Sequence, residues 1–121
     1  MPLVIYGIPN CDTMKKARAW LDEAGIAVRF HDYRRDGVPE AALRRWCREL
    51  GWEQVLNRRG TTFRKLPEAT RASLDEEGAI RFMRQQAAAI RRPVLEGNGV
   101  LLAGFSAARY AEALGNGGKQ C

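Results

Sequence analysis

Short apolar runs and helical stripes alternate along the first quarter of the chain. Residues 3–6, Leu-Val-Ile-Tyr, form an apolar run closed by Gly7, which predicts a buried strand. From Asp12 the apolar side chains recur at helical spacing until Gly25, which supplies a stop for the predicted helix. Residues 26–31 then alternate between apolar and polar side chains and predict a second strand. This order predicts a βαβ unit with two parallel strands and a right-handed crossover.

The middle of the chain has the pattern of helices joined by loops. Pro39 starts a predicted helix that ends near Gly51, because a proline at the first helical position loses no hydrogen bond. Residues 57–62 have the composition of a loop, whereas Ser73 and Glu76 have the spacing of a capping box and predict the start of another helix. The apolar positions expected to face inward from these two helices are Leu43, Trp46, Cys47, Leu50, Ile80, Met83 and Ala87.

Two further apolar runs and a helix complete the pattern. Residues 94–96 and 100–103 flank a Gly-Asn-Gly turn at 97–99 and predict an antiparallel hairpin. Ser106 is the predicted N-cap of a last helix. The order of the elements therefore predicts the α/β class, with a mixed sheet of four strands, helices packed on it and one antiparallel edge.

Length and composition are those of one small globular domain. The chain has 121 residues, of which 45% are hydrophobic and 28% charged, and this balance argues against a disordered chain. We expect the domain to cover residues 1–114 and residues 115–121 to form a flexible tail, because the tail has almost nothing to bury. No apolar run approaches the roughly 18 residues of a transmembrane helix, and the start lacks the pattern of a signal peptide. We therefore expect a cytoplasmic protein without a membrane partner.

Cysteine, histidine and charge usage exclude several kinds of site. Cys11, Cys47 and Cys121 are an odd number with no close pair, which supports neither a disulfide scaffold nor a zinc cluster. His31 has no second ligand at a suitable spacing, so we expect a structural histidine and no metal. The 20 Lys and Arg exceed the 14 Asp and Glu by six, which indicates an anionic partner. No motif for nucleic-acid binding is present, so a small anion is favoured over nucleic acid.

Cys11 is the candidate nucleophile. It follows a turn that ends at Asn10 and lies at the start of the first predicted helix, beyond the carboxyl end of the first strand. Backbone N–H groups near Thr13 and the positive end of the helix dipole stabilise a thiolate, which is the reactive form of the side chain. Lys15 favours this anion and Asp12 opposes it, and we expect the helix terminus to lower the pKa of Cys11. The alternative for Cys11 is a small buried apolar residue.

The other two cysteines differ from Cys11 in their surroundings. Cys47 lies on the apolar stripe of a predicted helix, so we expect core packing rather than a redox role. Cys121 ends the glycine-rich tail, where a thiol is either incidentally exposed or resolves an intermediate on Cys11. Because position 14 is Met14, no disulfide can close within the segment that starts at Cys11. The second thiol must come from elsewhere, and glutathione fits, since it also carries carboxylates for a basic site.

Arginines in two loops are the candidate anion-binding residues. Arg58 and Arg59 precede Gly60, and Arg92 precedes Pro93. In such loops the fork-shaped side chain of arginine can clamp an anion with two hydrogen bonds. The alternative is a general contribution of these arginines to surface solubility.

Three short motifs occur in order along the chain. They are Tyr-Gly-Ile-Pro-Asn-Cys-Asp-Thr-Met-Lys-Lys at 6–16, Leu-Asn-Arg-Arg-Gly at 56–60 and Ile-Arg-Arg-Pro-Val at 90–94. Together they resemble the ArsC/Spx family, and within it the YffB-like group of arsenate-reductase-like proteins. The resemblance implies a thioredoxin-like domain with a helical insertion over about residues 37–89. It also implies a cis-proline at Pro93 that faces the candidate nucleophile.

The resemblance also implies a chemistry. Arsenate reductases of this family use a nucleophilic cysteine, which matches Cys11, and three arginines for the oxyanion, of which Arg58 and Arg92 match two. Glutathione and glutaredoxin complete their cycle. This chain has Gly-Phe at residues 104–105 where the reductases carry the third arginine followed by proline, and Gly7 where they carry histidine. Losing one of three charge-assisted contacts costs about 1.5–3 kcal/mol, so we expect a weakened oxyanion site.

The leading hypothesis is a glutathione-dependent thiol oxidoreductase. In it Cys11 forms a mixed disulfide while Arg58 and Arg92 hold the anionic part of a glutathionylated or oxyanion substrate. Glutathione is the co-substrate, no cofactor is tightly bound, glutaredoxin is a candidate further partner, and a monomer is expected. The alternatives are an arsenate reductase with a weakened oxyanion site and a non-catalytic Spx-like protein-binding module. The residues expected to complete the anion site are Asn10, Thr13, Lys15 and Pro93.

Overall fold

The computed structural model describes residues 2–115 of the chain, which fall into two compact units. One unit combines the chain up to Gly37 with the chain from Arg92 onward, and the other is Val38–Arg91. In chain order the elements are β1 (Val4–Gly7), α1 (Asp12–Glu23), β2 (Arg29–Asp32), α2 (Tyr33–Asp36), α3 (Glu40–Leu50), α4 (Trp52–Val55), α5 (Thr61–Arg64), α6 (Glu68–Ala72), α7 (Glu76–Gln85), a 3-10 turn (Ala87–Ala89), β3 (Val94–Gly97), β4 (Val100–Ala103) and α8 (Ala107–Leu114). Among these helices, none is long and apolar enough to cross a membrane.

The four strands form one mixed sheet in the order β2-β1-β3-β4. β1 runs parallel to β2, with Ile5 opposite Phe30, and antiparallel to β3, with Ile5 opposite Leu95. β4 returns antiparallel to β3, with Leu102 opposite Leu95. The structure confirms the predicted parallel strand pair, the antiparallel hairpin, and the α/β class with a mixed sheet of four strands.

The second strand is shorter than the alternation of residues 26–31 predicts. Strand pairing begins only at Arg29, because the N–H of Ile26 donates to the carbonyl of Leu21 at 3.0 Å and closes the end of α1. Ile26 and Val28 still pack against the core. The alternation of apolar and polar residues from position 26 therefore reflects burial of alternate side chains, and it begins before the first residue of β2.

β1 and α1 supply much of the core of the first unit. α1 turns Met14 and Leu21 inward, where they pack with Ile5 of β1 and Tyr110 of α8. The ring of Phe105 meets the ring of Tyr110 edge-on, with centroids 4.8 Å apart. Burying one large apolar side chain contributes about 1.5–3 kcal/mol, so these contacts hold the start of α1 firmly against the sheet.

α3 and α7 form the centre of the second unit. α3 follows Pro39 as predicted, and its buried stripe confirms the core position expected for Cys47. Arg44 of α3 pairs with Glu40 at 3.0 Å and with Glu77 of α7 at 2.6 Å, which ties the two helices together. The buried side chains of this unit are Ala42, Leu43, Trp46, Cys47, Val55, Leu56, Phe63, Ala79, Ile80, Met83, Ala89 and Ile90.

The capping box predicted at Ser73 and Glu76 is wrong. Asp75 is the N-cap of α7, since its Oδ1 accepts a hydrogen bond from the N–H of Gly78 at 2.8 Å. The hydroxyl of Ser73 instead donates to the carbonyl of Ala69 in α6 at 3.0 Å. Because the serine is engaged with the preceding helix, the next acceptor along the chain caps α7.

Two other local predictions in the second unit also need correction. Residues 57–62 are not all loop, because α5 begins within them; the burial of Phe63, which is 9% exposed, favours a helical turn there. Ala87, expected to face inward from α7, lies in the 3-10 turn and is half-buried. α7 has already ended at Gln85, and Ala89 takes the buried position instead.

The hairpin between β3 and β4 requires glycine at position 97. Gly97 has a φ of 138°, in a region that strains other residues. A Cβ there would lie 2.8 Å from Cα of Leu3 and closer still to the carbonyl oxygen of Pro2. These are backbone atoms, so a side chain fits only if the chain segments separate. At Gly99 the φ is 78°, but nothing lies within 4 Å of the position of a Cβ.

We expect Gly97→Ala to lower the free energy of unfolding by about 3 kcal/mol or more, because it combines backbone strain with overlap. Gly99→Ala is the matched control, since it introduces strain of about 1–2 kcal/mol without overlap. Urea unfolding followed by circular dichroism measures both values. Equal losses in the two variants would contradict a steric role for Gly97.

Candidate functional site

Three segments of the first unit meet at the edge of the sheet where β1 ends. β1 ends at Gly7, and the loop after it leads to Cys11 at the start of α1. β3 runs antiparallel to β1, so its start, with Arg92 just before it, lies at the same edge. β2 runs parallel to β1 and ends at Asp32, opposite Gly7, so α2 starts there as well. The topology therefore brings Cys11 and Arg92 to one place, at the edge where α/β sheets commonly bind ligands.

Cys11 is the N-cap residue of α1. Its backbone is extended, with φ −120° and ψ 129°, and its carbonyl accepts a helical hydrogen bond from the N–H of Lys15 at 3.0 Å. The side chain thus stands at the positive end of a 12-residue helix, beside N–H groups that have no partner within the helix. The thiol is free and only half-buried, so a reagent can reach it.

The surroundings of Cys11 lower its pKa. Partial burial has the largest single effect and raises the pKa, because it disfavours the charged thiolate. Donation to the sulfur by the N–H of Met14, the guanidinium of Arg92 and the N–H of Thr13, together with the charge of Arg92, outweighs burial. These donors bind the ionised sulfur more strongly than the neutral thiol, so they favour the thiolate. The direction predicted for this pKa from the sequence is confirmed.

Arg92 is held beside Cys11 by the buried start of β3. The bond between Arg92 and Pro93 is cis, as the resemblance implied. The carbonyl of Pro93 accepts a hydrogen bond from the N–H of Gly104 at 2.8 Å, which ties the start of β3 to the chain after β4. Pro93 is buried and Arg92 is half-buried. A fixed backbone thus carries the guanidinium that donates to the sulfur of Cys11.

Met14 fills the space between α1 and the end of β1. Its side chain is 1% exposed and packs on Gly7, where a Cβ would lie 2.9 Å from Cε of Met14 and closer to Sδ. The small residue at position 7 and the large one at position 14 are therefore matched in size. This packing leaves no room for a larger side chain at position 7, which is histidine in the reductases that the chain resembles.

An aromatic cluster that the sequence pattern did not predict borders the same edge. The ring of His31 lies 4.9 Å from that of Tyr6 and 5.9 Å from that of Tyr33, between centroids. Nε2 of His31 donates to the carbonyl of Gly37 at 2.8 Å, which confirms the structural role expected for this histidine.

Tyr33 is the most deeply buried member of this aromatic cluster. It is 4% exposed, and its hydroxyl has no hydrogen-bond partner within residues 2–115. Burial raises the pKa of Tyr33, while the charge of Arg92 acts to lower it. Tyr33 could have been predicted as a site residue from its position directly after a strand parallel to β1. Residues that follow parallel strands lie at the carboxyl edge of the sheet, where ligands commonly bind.

The other residues predicted for the anion site have different surroundings. Asn10 is exposed in the loop before α1, and Thr13 presents its N–H to the sulfur. Lys15 is exposed and lines a groove along α1 that also includes Asp22. A part for Lys15 in holding an anion stays a prediction.

Arg58 belongs to the second unit, whereas Cys11 belongs to the first. Cooperation between these two residues stays a prediction from the resemblance. Within its own unit Arg58 borders a cavity of about 520 Å³. Other residues that line this cavity are Trp52, Arg59, Phe63, Arg71 and Arg91.

The two cysteines within the described residues have opposite properties. Both are free thiols, but burial raises the pKa of Cys47 to about 11, whereas that of Cys11 is lowered. Cys121, the candidate resolving thiol, lies outside the described residues. No group of three or more His, Cys, Asp or Glu within residues 2–115 is placed to hold a metal ion.

Comparison with known sequences relates the chain to one family. The pattern of the ArsC family matches residues 6–113. An uncharacterized protein of Haemophilus influenzae is 38% identical over 111 residues, which cover 92% of this chain and 97% of that protein. The global transcriptional regulator Spx of Enterococcus faecalis is 27% identical over 109 residues, which cover 86% of this chain and 80% of the regulator.

Solved structures agree with this relationship. A protein named YFFB is 58% identical and has a TM-score of 0.87, with 93% of this chain and 98% of that chain covered. An arsenate reductase (ArsC) related protein from Brucella melitensis is 50% identical and has a TM-score of 0.77, with 93% of each chain covered. The mixed four-stranded sheet with its helices is therefore the thioredoxin-like α/β fold expected from the resemblance.

We expect iodoacetamide to modify Cys11 at a lower pH than Cys47. The thiolate is the reactive form, and it appears as the pH rises through a pKa that is lowered for Cys11 and about 11 for Cys47. Arg92→Gln removes a charge and a donor, so it should move the pH profile of Cys11 upward. Timed labelling followed by peptide mass spectrometry measures both cysteines in one sample.

Lys15→Gln is the matched control for this measurement. It also removes one positive charge near the start of α1, but Lys15 is not among the groups that donate to the sulfur. Upward shifts of equal size in both variants would show that net charge, rather than the contact with Arg92, sets the pKa of Cys11.

Proposed function

The chain belongs to the ArsC family, and from that membership and the geometry of the site we propose that it is a glutathione-dependent thiol oxidoreductase with Cys11 as its nucleophile. The observation that carries the proposal is the sulfur of Cys11 at the N-cap of α1, where Arg92 and two backbone N–H groups favour the thiolate. A stable, accessible thiolate is the nucleophile that thiol–disulfide exchange requires.

In the proposed reaction the thiolate of Cys11 attacks the glutathione sulfur of a glutathionylated substrate. A bond forms between these two sulfurs, the substrate's disulfide bond breaks, and the substrate sulfur leaves as a thiolate that takes up a proton. The thiolate of a free glutathione then attacks the mixed disulfide, which releases Cys11 as a thiolate and forms oxidised glutathione. The net reaction converts the glutathionylated substrate and one glutathione into a free thiol and oxidised glutathione.

An external thiol is proposed because the described residues around Cys11 offer no second accessible thiol. Position 14 holds the buried Met14, and Cys47 is buried in the other unit. Neither position offers a second accessible thiol, and we assign the release of the mixed disulfide to an external thiol. Glutathione has this role in the proposal, and glutaredoxin is a further candidate reductant. We propose that the protein acts as a monomer and that the reaction takes place in the cytoplasm, where thiols are kept reduced.

The carboxylates of glutathione supply the negative charge that the arginines are proposed to hold. Arg92 is half-buried beside the reacting sulfur, so it can contact the bound tripeptide directly. Arg58 is assigned the second contact through its match to the family motif. Arginine binds a carboxylate with two parallel hydrogen bonds, which orients the ligand as well as attracting it.

Incubation with oxidised glutathione should add one glutathione to Cys11, and excess reduced glutathione should remove it. Intact mass and peptide mapping identify the adduct and its position. Cys11→Ser should abolish the adduct. Cys47→Ala is the matched control, because it also removes one thiol but one that is buried in the second unit, and it should leave the adduct unchanged.

Two results would change the assignment. Absence of an adduct on Cys11 in the folded wild-type protein would contradict the proposal and favour a protein-binding module, since Spx of Enterococcus faecalis is 27% identical. Persistence of the mixed disulfide in Cys121→Ser under reduced glutathione would assign the release step to Cys121.

Arsenate reduction is the second candidate function, favoured by the guanidinium of Arg92 beside the sulfur of Cys11. In that reaction Cys11 and glutathione together would supply the two electrons that convert arsenate into arsenite. Gly104, which has no side chain to contact an anion, stands where the reductases carry their third arginine, and Phe105 stands at the proline that follows it. The ring of Phe105 packs edge-on against Tyr110 at 4.8 Å and is part of the core, so it supplies no contact to an anion.

We expect arsenate to be a poor substrate relative to a glutathionylated peptide. Loss of one charge-assisted contact weakens oxyanion binding by about one to two orders of magnitude. Oxidation of NADPH in an assay coupled through glutaredoxin and glutathione reductase measures both reactions. Faster turnover with arsenate than with the peptide would reverse the order of the two candidate functions.

A further inference from the structure

The cavity bordered by Arg59, Arg71 and Arg91 lies in the second unit and shares only Arg58 with the residues assigned above to the chemistry of Cys11. We name it the arginine cavity. Its volume is about 520 Å³, and Trp52 and Phe63 form its aromatic walls. This volume lies within the range of about 300–1,000 Å³ that is common for sites that bind small molecules.

Positive charge dominates the lining of the arginine cavity. Four arginines and one acidic residue, Glu53, contribute to it. None of the four makes an ion pair with a carboxylate within residues 2–115. By contrast, Arg44 and Arg84 in the same unit both pair with Glu40. The arginines of the cavity therefore keep charge that the surrounding protein does not neutralise.

Arg91 is positioned in advance by its own hydrogen bonds. Its backbone N–H donates to the carbonyl of Val55 at 2.7 Å, and its Nε donates to the carbonyl of Gln54 at 2.8 Å. These bonds fix the stem of the side chain and leave the two terminal nitrogens of the guanidinium available. A donor that is already oriented loses less conformational freedom when it binds an anion.

Arg71 has a donor that the protein does not satisfy. Its Nε is buried and has no hydrogen-bond partner within the described part of the chain. A buried N–H without a partner is costly, and such groups in folded proteins call for an explanation. An acceptor oxygen on a bound ligand would satisfy this donor.

We propose that the arginine cavity binds a small polyanion, a molecule with at least two phosphate or carboxylate groups. Two or more guanidinium groups can each clamp one such group. The aromatic walls provided by Trp52 and Phe63 reduce contact with water and so strengthen these interactions. A concave site of this size suits a small molecule better than the flat surface of an acidic protein.

The proposed polyanion site can be tested separately from the reaction proposed for Cys11. Every residue that lines the arginine cavity belongs to the second unit, and Cys11 belongs to the first. Arg58 lines the cavity and is also assigned to the glutathione site, so it is unsuitable for the test. Arg71 and Arg59 carry no role in the proposed oxidoreductase reaction and serve instead.

The site is tested by isothermal titration calorimetry at low ionic strength, with inorganic pyrophosphate and, separately, with citrate. We expect at least one of the two to bind with a stoichiometry near one, and Arg71→Gln to weaken it by about ten-fold or more. Arg59→Gln should also weaken binding. Because Arg59 is exposed, we expect this variant to fold, so it tests the site even where Arg71→Gln fails to fold. Preference for pyrophosphate would identify a phosphate ligand, and preference for citrate a carboxylate ligand.

Arg64→Gln is the matched control, because it removes the same charge from an exposed arginine of α5 that does not line the cavity. It should bind the polyanion as the wild type does, and so should Cys11→Ser. Equal weakening in Arg64→Gln and Arg59→Gln would show attraction by net charge alone and overturn the proposal. Absence of binding by both polyanions, or binding only of a polyglutamate peptide, would overturn it as well.

Discussion

The position of β1 between a parallel and an antiparallel neighbour is the constraint on which the candidate active site depends. A parallel neighbour ends where β1 ends, and an antiparallel neighbour begins there, so residues distant in the chain arrive at one edge. Cys11, Tyr33 and Arg92 reach this edge from three different connections. A shift of the register by one residue would turn Ile5 to the other face of the sheet and disturb the site together with the core.

The surroundings of Cys11 and Cys47 shift the pKa values of the two thiols in opposite directions. Cys11 is partly buried, which alone would disfavour a thiolate, but donors from the helix start and from Arg92 outweigh that effect. Cys47 is buried on α3 among apolar side chains and has no comparable set of donors, so its pKa rises. The surroundings therefore favour the thiolate in one unit and the neutral thiol in the other, and neither property follows from cysteine content.

Positive charge in the second unit has two physical roles. Arg44 is matched by Glu40 and Glu77, and its charge is used to connect α3 with α7. The arginines around the cavity have no such partners within residues 2–115, so their like charges repel one another and destabilise the fold. An excess of charge held in a concave, partly apolar place is typical of sites that bind anions, whereas the paired arginines stabilise structure.

Features that depend on neighbouring residues could be predicted from the amino-acid sequence: the run of β1, the start of α1 at Cys11, the hairpin and the last helix capped by Ser106. Periodicity and capping act over a few residues, so they can be read locally. Three features could not be predicted in this way: the donation from Arg92 to Cys11, the burial of Phe63 that favours α5 within a predicted loop, and the position of Tyr33 at the edge of the sheet. These depend on the strand order and on packing across the core, whose free energy is shared among segments far apart in the chain.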